Sequence, residues 1–286
     1  MKNKLFYIVI ILFIGCAEDD DNNFHNSYKF KGTNHTLDIV SWNIENFPKN
    51  DVTINEIIPI IDSLNVDIIA LQEIESTQDF NNMVNQLGGN WIGYKAENSS
   101  YGVLSYLINT TFITINSAPS TILSQFNYDF TYRPPYVLQF EFNNTAYTLI
   151  NVHFKCCDGG EERRANASVH LENYIKNNLS NNNVIVVGDF NDELVDENNV
   201  FDVFLNKSQD YLFSDIHIAQ NNQKSYWSFP SYPSHIDHIL ITDELFNQED
   251  TTCTLLLDQW FFDNANDYFF YVSDHRPMAI SLNINP

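Results

Sequence analysis

The sequence predicts an α/β fold carried by one large domain. Short runs of β-branched and apolar residues alternate with segments of helical periodicity, and no repeat or low-complexity linker interrupts them between about Thr36 and Asn285. Composition agrees. Hydrophobic residues make up 44% of the 286 and aromatic residues 14%, enough for a sizeable core and too much for a disordered chain.

Leu37 to Trp42 reads as a buried strand ending in polar Asn43. Ile54, Ile57, Ile58 and Ile61 then recur at helical spacing, with Pro59 expected to kink or break the helix early. A second buried strand, Asp67 to Leu71, runs into Gln72-Glu73. The helix expected over Thr77 to Leu87 is closed by Gly88-Gly89. From Trp91 to Phe154 the pattern is one of strands, at Tyr101–Ile108, Phe112–Ile115, Tyr136–Phe142 and Tyr147–Val152. Glu161 to Leu179 reads as a helix. Val184 to Val187, wholly β-branched, leads into Gly188-Asp189-Phe190-Asn191. Strands at Ile239–Ile241, Thr252–Leu257 and Met278–Leu282 complete the domain.

Residues able to bind metal or phosphate stand just past the ends of separate buried strands: Asn43, Glu73, His153, Asp189 and Asn191. Strand ends gathered on one sheet edge are where α/β proteins place their sites. Neither a Cys/His cluster at zinc spacing, a Gly-x-Ser-x-Gly elbow nor a phosphate-cradling glycine loop is present. Net charge is −23, from 37 acidic against 14 basic residues. That excludes nucleic-acid capture by a broad basic surface. It leaves room for a polyanionic substrate handled by bound cations and a few placed Arg or Lys.

Six segments together resemble, in order, the motifs of the endonuclease/exonuclease/phosphatase superfamily, which includes DNase I, exonuclease III, bacterial sphingomyelinases and inositol polyphosphate 5-phosphatases. They are Trp42-Asn43-Ile44-Glu45-Asn46-Phe47, Leu71-Gln72-Glu73, Asn151-Val152-His153, Gly188-Asp189-Phe190-Asn191, Ile236-Asp237-His238 and Ser273-Asp274-His275-Arg276-Pro277. The resemblance implies a two-sheet sandwich flanked by helices on both sides, the DNase I-like four-layer arrangement. It also implies hydrolysis of phosphodiesters with Mg²⁺ or Mn²⁺.

Glu73 would be the principal metal ligand, assisted by Asn43, with Glu45 at a second metal position and Asp274 close enough to ligate metal or water. Asp189 and Asn191 would orient the attacking water and hold a phosphate oxygen. His275 would pair with Asp237, acting as base, acid or phosphate-stabilising cation. His153 resembles a DNase-like or sphingomyelinase-like feature, since exonuclease III-type enzymes place tyrosine there. Arg133, in Tyr132-Arg133-Pro134, is similar to an Arg-x-Pro that contacts phosphate. His238 stands where relatives often have an aromatic and reads as a core histidine; His235 occupies a position that is often Arg. Lys155, Arg163 and Arg164 read as helix-flanking charges. The aromatic segments Tyr226–Pro233 and Trp260–Tyr271 serve as core, as base-stacking rings or as a lipid-facing rim.

Residues 1–16 read as an address. Lys2 and Lys4 precede the apolar run Leu5–Ile14, too short to span a bilayer but suited to a signal segment. Leu12-Phe13-Ile14-Gly15-Cys16 resembles a lipoprotein box, which would lipidate Cys16. Residues 17–35, acidic at Glu18 to Asp21, read as a tether, and 36–286 as the catalytic domain. The resemblance places the protein on the cell envelope, by outer-membrane anchoring, with no protein partner inferred. Nucleic acid is the expected substrate. A phospholipid or inositol phosphate is the alternative, and an inactive surface-binding lipoprotein a remoter one. Cys156, Cys157 and Cys253 allow one bridge at most, or three free thiols.

Overall fold

The computed structural model describes residues 30–97 and 101–283. The signal segment, Cys16 and the tether up to residue 29 lie outside the described residues. The chain opens with β1 (Thr36–Phe47), α1 (Thr53–Leu64), β2 (Ile68–Ile74) and α2 (Thr77–Leu87). Next come the strands β3 (Trp91–Lys95), β4 (Val103–Asn109), β5 (Ile113–Ile115), β6 (Ser120–Thr121), β7 (Tyr136–Phe142) and β8 (Thr145–His153). α3 (Glu161–Asn178) leads to β9 (Asn183–Asp189), then α4 (Asp202–Leu205), β10 (Tyr211–Phe213), α5 (Ile216–Ala219) and β11 (Asp237–Thr242). β12 (Glu249–Thr254), α6 (Leu257–Trp260), α7 (Ala265–Tyr271) and β13 (Met278–Asn283) finish it.

Two mixed sheets result, one ordered β12-β13-β1-β2-β4-β3 and the other β10-β11-β9-β8-β7-β5, with β6 paired to β7. β1 and β2 run parallel across α1, and β8 and β9 run parallel across α3. Such pairs need a long crossover, which the helices provide. Alternate residues of the second sheet face two different cores, as strand periodicity requires. Leu149, Ile185 and Ile239 join Trp42 and Ile69 of the first sheet in one apolar cluster. Ile150, Val152, Val184 and Val186 pack instead with Ala167, Leu171 and Ile175 of α3. The layered sandwich flanked by helices follows from this alternation.

Pro59 does not break α1, which continues to Leu64. The ring is exposed, whereas Ile54, Ile57, Ile61 and Leu64 form a buried stripe that holds both halves of the helix on the sheet. The expected strand Thr252–Leu257 stops at Thr254, and Leu257 opens α6. α2 has the expected bounds. Ser76 Oγ caps it by accepting from Asp79 N at 3.2 Å, and Gly88 ends it at φ 57°. Among the described residues, Cys156, Cys157 and Cys253 form no disulfide with one another.

Near one end the sheets are tied by buried polar groups as well as apolar packing. Gln72 Nε2 donates to Asn151 Oδ1 at 2.8 Å, and Asn151 Nδ2 donates to the carbonyls of Leu71 and Ser105 at 3.0 and 3.1 Å. Tyr106 Oη donates to Tyr136 O at 2.7 Å. Buried polar bonds have little tolerance for displacement, so they fix how the two halves of the site face each other.

Candidate active site

Strand register builds the site. Across the second sheet His153 is opposite Asp189, and Asp189 is opposite Asp237, which sets three functional side chains in a row on neighbouring strands. In the first sheet Asn43 pairs with Gln72, after which the register shifts before Phe47 meets Ile74. Asn43 and Glu73 therefore lie inside bulged strands and not just past their ends. The irregularity is carried by left-handed residues: Glu45 has φ 35°, Asn46 φ 51° and Glu73 φ 65°. Asn191, beyond β9, has φ 56°. Such conformations are costly for residues with a Cβ and concentrate where side chains must be aimed.

Asn43 is the hinge between sheets. Its Nδ2 donates to Glu73 Oε1 at 3.2 Å and to Asp189 Oδ2 at 3.0 Å, and its Oδ1 accepts from Glu45 N at 3.0 Å. Glu73 Oε2 also accepts from Asn46 N at 2.9 Å. Glu45 pairs with Lys49, and its Oε2 accepts from Asp274 N at 2.9 Å. Ser273 Oγ donates to Asn43 O at 2.6 Å and accepts from His275 N at 3.0 Å, so the turn before β13 is stitched to β1. Tyr268 Oη donates to His275 O at 2.5 Å.

His275 Nδ1 lies 2.7 Å from Asp237 Oδ2, and its Nε2 lies 3.9 Å from Asp189 Oδ2 and 3.8 Å from Asp274 Oδ1. Phe229 covers the ring, with centroids 4.7 Å apart. His153 Nε2 is 3.4 Å from Asp189 Oδ2 and 3.9 Å from Glu73 Oε1. Asn191 is set by its N donating to Asp189 Oδ1 at 3.0 Å and its Nδ2 donating to Phe154 O at 3.3 Å. The structure thus brings together Asn43, Glu45, Glu73, His153, Asp189, Asn191, Asp237, Asp274 and His275.

Arg133 sits behind this group. It is buried, and it donates from Nε to His153 O at 3.3 Å and from Nη2 to Phe154 O at 2.8 Å. A Cβ on Gly102, at φ 58°, would come within 2.8 Å of Arg133 Nη1, so only glycine lets the guanidinium in. Arg164, read as a flanking charge, is buried and paired with Asp192 at 2.7 Å. Trp227 packs half-buried, its Nε1 donating to Asn221 O at 3.2 Å, whereas Trp260, Phe270 and Tyr232 are exposed.

Charge accumulation explains the proton affinities. Burial alone would strip His275 of its proton, but Asp237, Asp189 and Asp274 outweigh it and push the imidazole up to about 10. Burial and the neighbouring Asp237 carboxylate raise Asp189 to about 7. His153 is pushed well below its ordinary range by burial, Arg133 and His275, so it is neutral. Burial and Glu45 raise Asp274 to about 6, against the opposing pull of His275.

The upward shifts of His275 and Asp189 have one sign for stability. His275 binds its proton more tightly folded than unfolded, so its contribution is full below its ordinary 6.5 and lost as pH rises through about 10. Asp189 behaves likewise, with its contribution full below 3.8 and lost through about 7. In chelator, the melting temperature is therefore expected to fall between about pH 6 and about pH 10. A flat or rising profile by calorimetry would contradict the charge assignment.

The profile of the Endonuclease/Exonuclease/phosphatase family matches residues 40–275. The chain belongs to that family. The match spans every residue of the site and most of the two sheets. Comparison with curated protein sequences returns no match. Among solved structures, D. rerio TDP2 complexed with a single-strand DNA product is 14% identical with a TM-score of 0.68, over 87% of this chain and 99% of that one. The human Nocturnin catalytic domain with bound sulfate is 17% identical with a TM-score of 0.63, over 86% and 92%. An endonuclease/exonuclease/phosphatase from Bacteroides vulgatus is 14% identical with a TM-score of 0.63, over 86% and 98%. At these identities the likeness is one of fold. Endonuclease/exonuclease/phosphatase members are phosphodiesterases or phosphatases, and that is the class of chemistry to which the site belongs.

The donor chemistry suits a hard divalent cation. Glu73, Asn43, Glu45 and Asp274 offer oxygens on one edge, and the Glu73 side chain is 23% exposed where Asp189 is 2%. A cation such as Mg²⁺ keeps several waters and needs only one or two carboxylates. Asp189, Asp237 and His275 lie close enough to share an ion, but that would need a bare His275 Nε2, and the surrounding carboxylates keep this imidazole protonated.

Four contributors escaped sequence reasoning. Nothing in the sequence marks Asp215; Ser228 and Tyr268 stand there only within aromatic segments, and Ser273 only as part of a motif. Ser228 Oγ accepts from Asp237 N at 3.1 Å, which fixes the start of β11. A polar residue inside an aromatic run was the signal for Ser228; Asp215 had none.

Proposed function

We propose that this protein is a divalent-metal-dependent phosphodiesterase whose substrate is nucleic acid, with little sequence preference. The observation that carries the reading is the buried Asp237–His275 pair facing Asp189, with Glu73 joined to Asp189 through Asn43. His275 keeps its proton among three carboxylates, so Nε2 can hold a non-bridging phosphate oxygen or supply a proton to the leaving oxygen. Asp189, with a proton affinity near neutrality, accepts the proton of the attacking water, and Asn191 orients the phosphate. Neutral His153 steadies the opposite side of the same pocket. Glu73, with Asn43, Glu45 and Asp274 around it, would hold Mg²⁺ or Mn²⁺, which when bound neutralises charge on the phosphoryl group.

Nucleic acid is favoured by rings exposed around the site. Tyr132 beside Arg133 is 55% exposed, Tyr232 at the tip of the turn bearing Phe229 is 78%, and Phe270 is 66%. Bases of any sequence stack on such rings, a means of binding that needs no basic surface. Assay of the purified protein with Mg²⁺ on single- and double-stranded DNA, RNA, sphingomyelin and inositol phosphates tests this. Cleavage of nucleic acid across sequences is expected. Hydrolysis of a lipid or inositol phosphate alone would overturn the substrate and leave the metal site standing.

The same reading places the enzyme on the cell envelope through a lipid on Cys16, most simply on the outer membrane, where free nucleic acid is met. Mass spectrometry of the mature protein should show an acyl-modified N-terminal Cys16, and Cys16→Ala should leave the membrane fraction. An unmodified wild-type N-terminus would refute the anchor.

A further inference from the structure

Directly behind the catalytic edge lies a second buried cluster, which the mechanism above does not use. Asp215 Oδ2 is 3.0 Å from His235 Nε2 and 2.7 Å from His238 Nδ1, and Asp215 Oδ1 accepts from Ile239 N at 2.9 Å. His238 Nε2 lies 2.9 Å from the carbonyl of Asp192. His235 Nδ1 accepts from Ser228 N at 3.3 Å. All three side chains are 2% exposed or less.

Proton counting fixes their states. A carbonyl only accepts, so His238 Nε2 carries a proton. Its Nδ1 lies 2.7 Å from Asp215 Oδ2; burial would raise that carboxyl, but His238 and His235 hold it below its ordinary range, so the proton between them sits on Nδ1. His238 is thus an imidazolium paired with an ionised Asp215. A backbone N–H only donates, so His235 Nδ1 is bare and the proton sits on Nε2, pointing at Asp215. These three side chains also lie close enough to hold a metal ion. That would require a bare His235 Nε2 and a proton on Nδ1, where Ser228 already points one. A hydrogen-bonded ionic cluster satisfies every atom, and a metal does not.

The cluster's contacts run to the functional groups. Asp237 and His238 are neighbours on β11, so fixing His238 on one face fixes Asp237 on the other. Asp192 directly follows Asn191, and its side chain accepts from Arg164 Nε at 2.7 Å. Arg164 in turn donates to Lys155 O at 2.6 Å, two residues beyond His153. We propose that Asp215, His238 and His235 are positioning residues, a buried ionic brace that aims Asp237 and the Asn191 turn at the reacting phosphate.

Only the last step, aim at a phosphate, rests on the functional reading; the charge state of the brace does not. The charged and titratable groups facing His238 are Asp215, His235, Asp237, Asp192 and Glu193, with Phe190, Phe201 and Phe213 filling the remaining sides. Burial opposes its charge, but the Asp215 carboxylate raises its proton affinity and its own is lowered.

Histidine-selective ¹H–¹⁵N spectra of the wild-type protein at neutral pH test this without substrate. Two buried rings protonated on both nitrogens are expected, one lost in His275→Asn and the other in His238→Gln. In Asp215→Asn the hydrogen-bonded Nδ1 proton of His275 should shift, although Asp215 does not touch that ring. With nucleic acid and Mg²⁺, Asp215→Asn and His238→Gln should lower kcat by about tenfold or more while KM and the Mg²⁺ requirement change less than about twofold. The double variant should be no worse than either single one, because the pair acts as a unit. A neutral His238 ring, stoichiometric zinc in the purified protein, or unchanged kcat in folded variants would each overturn the brace. Absence of any phosphodiesterase activity alongside two such rings would instead strike at the functional reading alone.

Discussion

Replacing His275 with alanine is expected to slow phosphodiester hydrolysis by about 10²–10⁴-fold, the range spanned by positioned proton-transfer groups. Asp237→Ala should cost a similar factor, because Asp237 Oδ2 at 2.7 Å from Nδ1 is what keeps the imidazole protonated and turned toward the pocket. The double variant should resemble the single ones. Groups that act as a unit lose their effect together, so independent roles would multiply the losses and a shared role would not. Substrate KM should stay nearly constant in all three. Multiplied losses, or a variant changed only in KM, would separate Asp237 from His275 functionally despite their contact.

Glu73→Gln is expected to raise the Mg²⁺ concentration for half-activation by about tenfold or more and to lower the rate even at saturating metal. The reason is charge. Glu73 offers a carboxylate at 23% exposure beside Asn43, and a hard cation binds an amide oxygen far less strongly. The amide still accepts from Asn46 N, so the backbone at φ 65° has a reason to hold and the melting temperature in chelator should change little. EDTA should abolish activity in the parent enzyme, and Mg²⁺ or Mn²⁺ should restore it. An unchanged metal requirement in Glu73→Gln would move the cation elsewhere in the pocket.

Much of the fold was legible because buried strands write themselves in β-branched or aromatic and apolar runs, as in Val184–Val187 and Tyr136–Phe142. β3 was less so. It is a short edge strand, half-buried throughout and broken by Gly93, and nothing in it alternates strongly. α6 and α7 fall in aromatic runs whose helical turns are set by packing and by the Asn264 cap. The site residues could be read from their types at the ends of buried runs, but their contacts could not. The row His153, Asp189, Asp237 exists only through the registers of β8, β9 and β11. Arg133 carried a motif, yet the two backbone carbonyls that engage it come from a strand end 20 residues on. Asp215 stands between Ser214 and Ile216 with no spacing to mark it. Its meaning appears only when His235 and His238 fold onto it.

In the proposed reaction, water activated in this pocket beside a divalent cation attacks phosphorus. Hydrolysis of a DNA phosphodiester in ¹⁸O-water, read by mass spectrometry of the product phosphate, tests it most directly. One ¹⁸O in the phosphomonoester formed with Mg²⁺, and no cleavage in chelator, is the predicted result. Label in the sugar hydroxyl, or full cleavage in chelator, would contradict it.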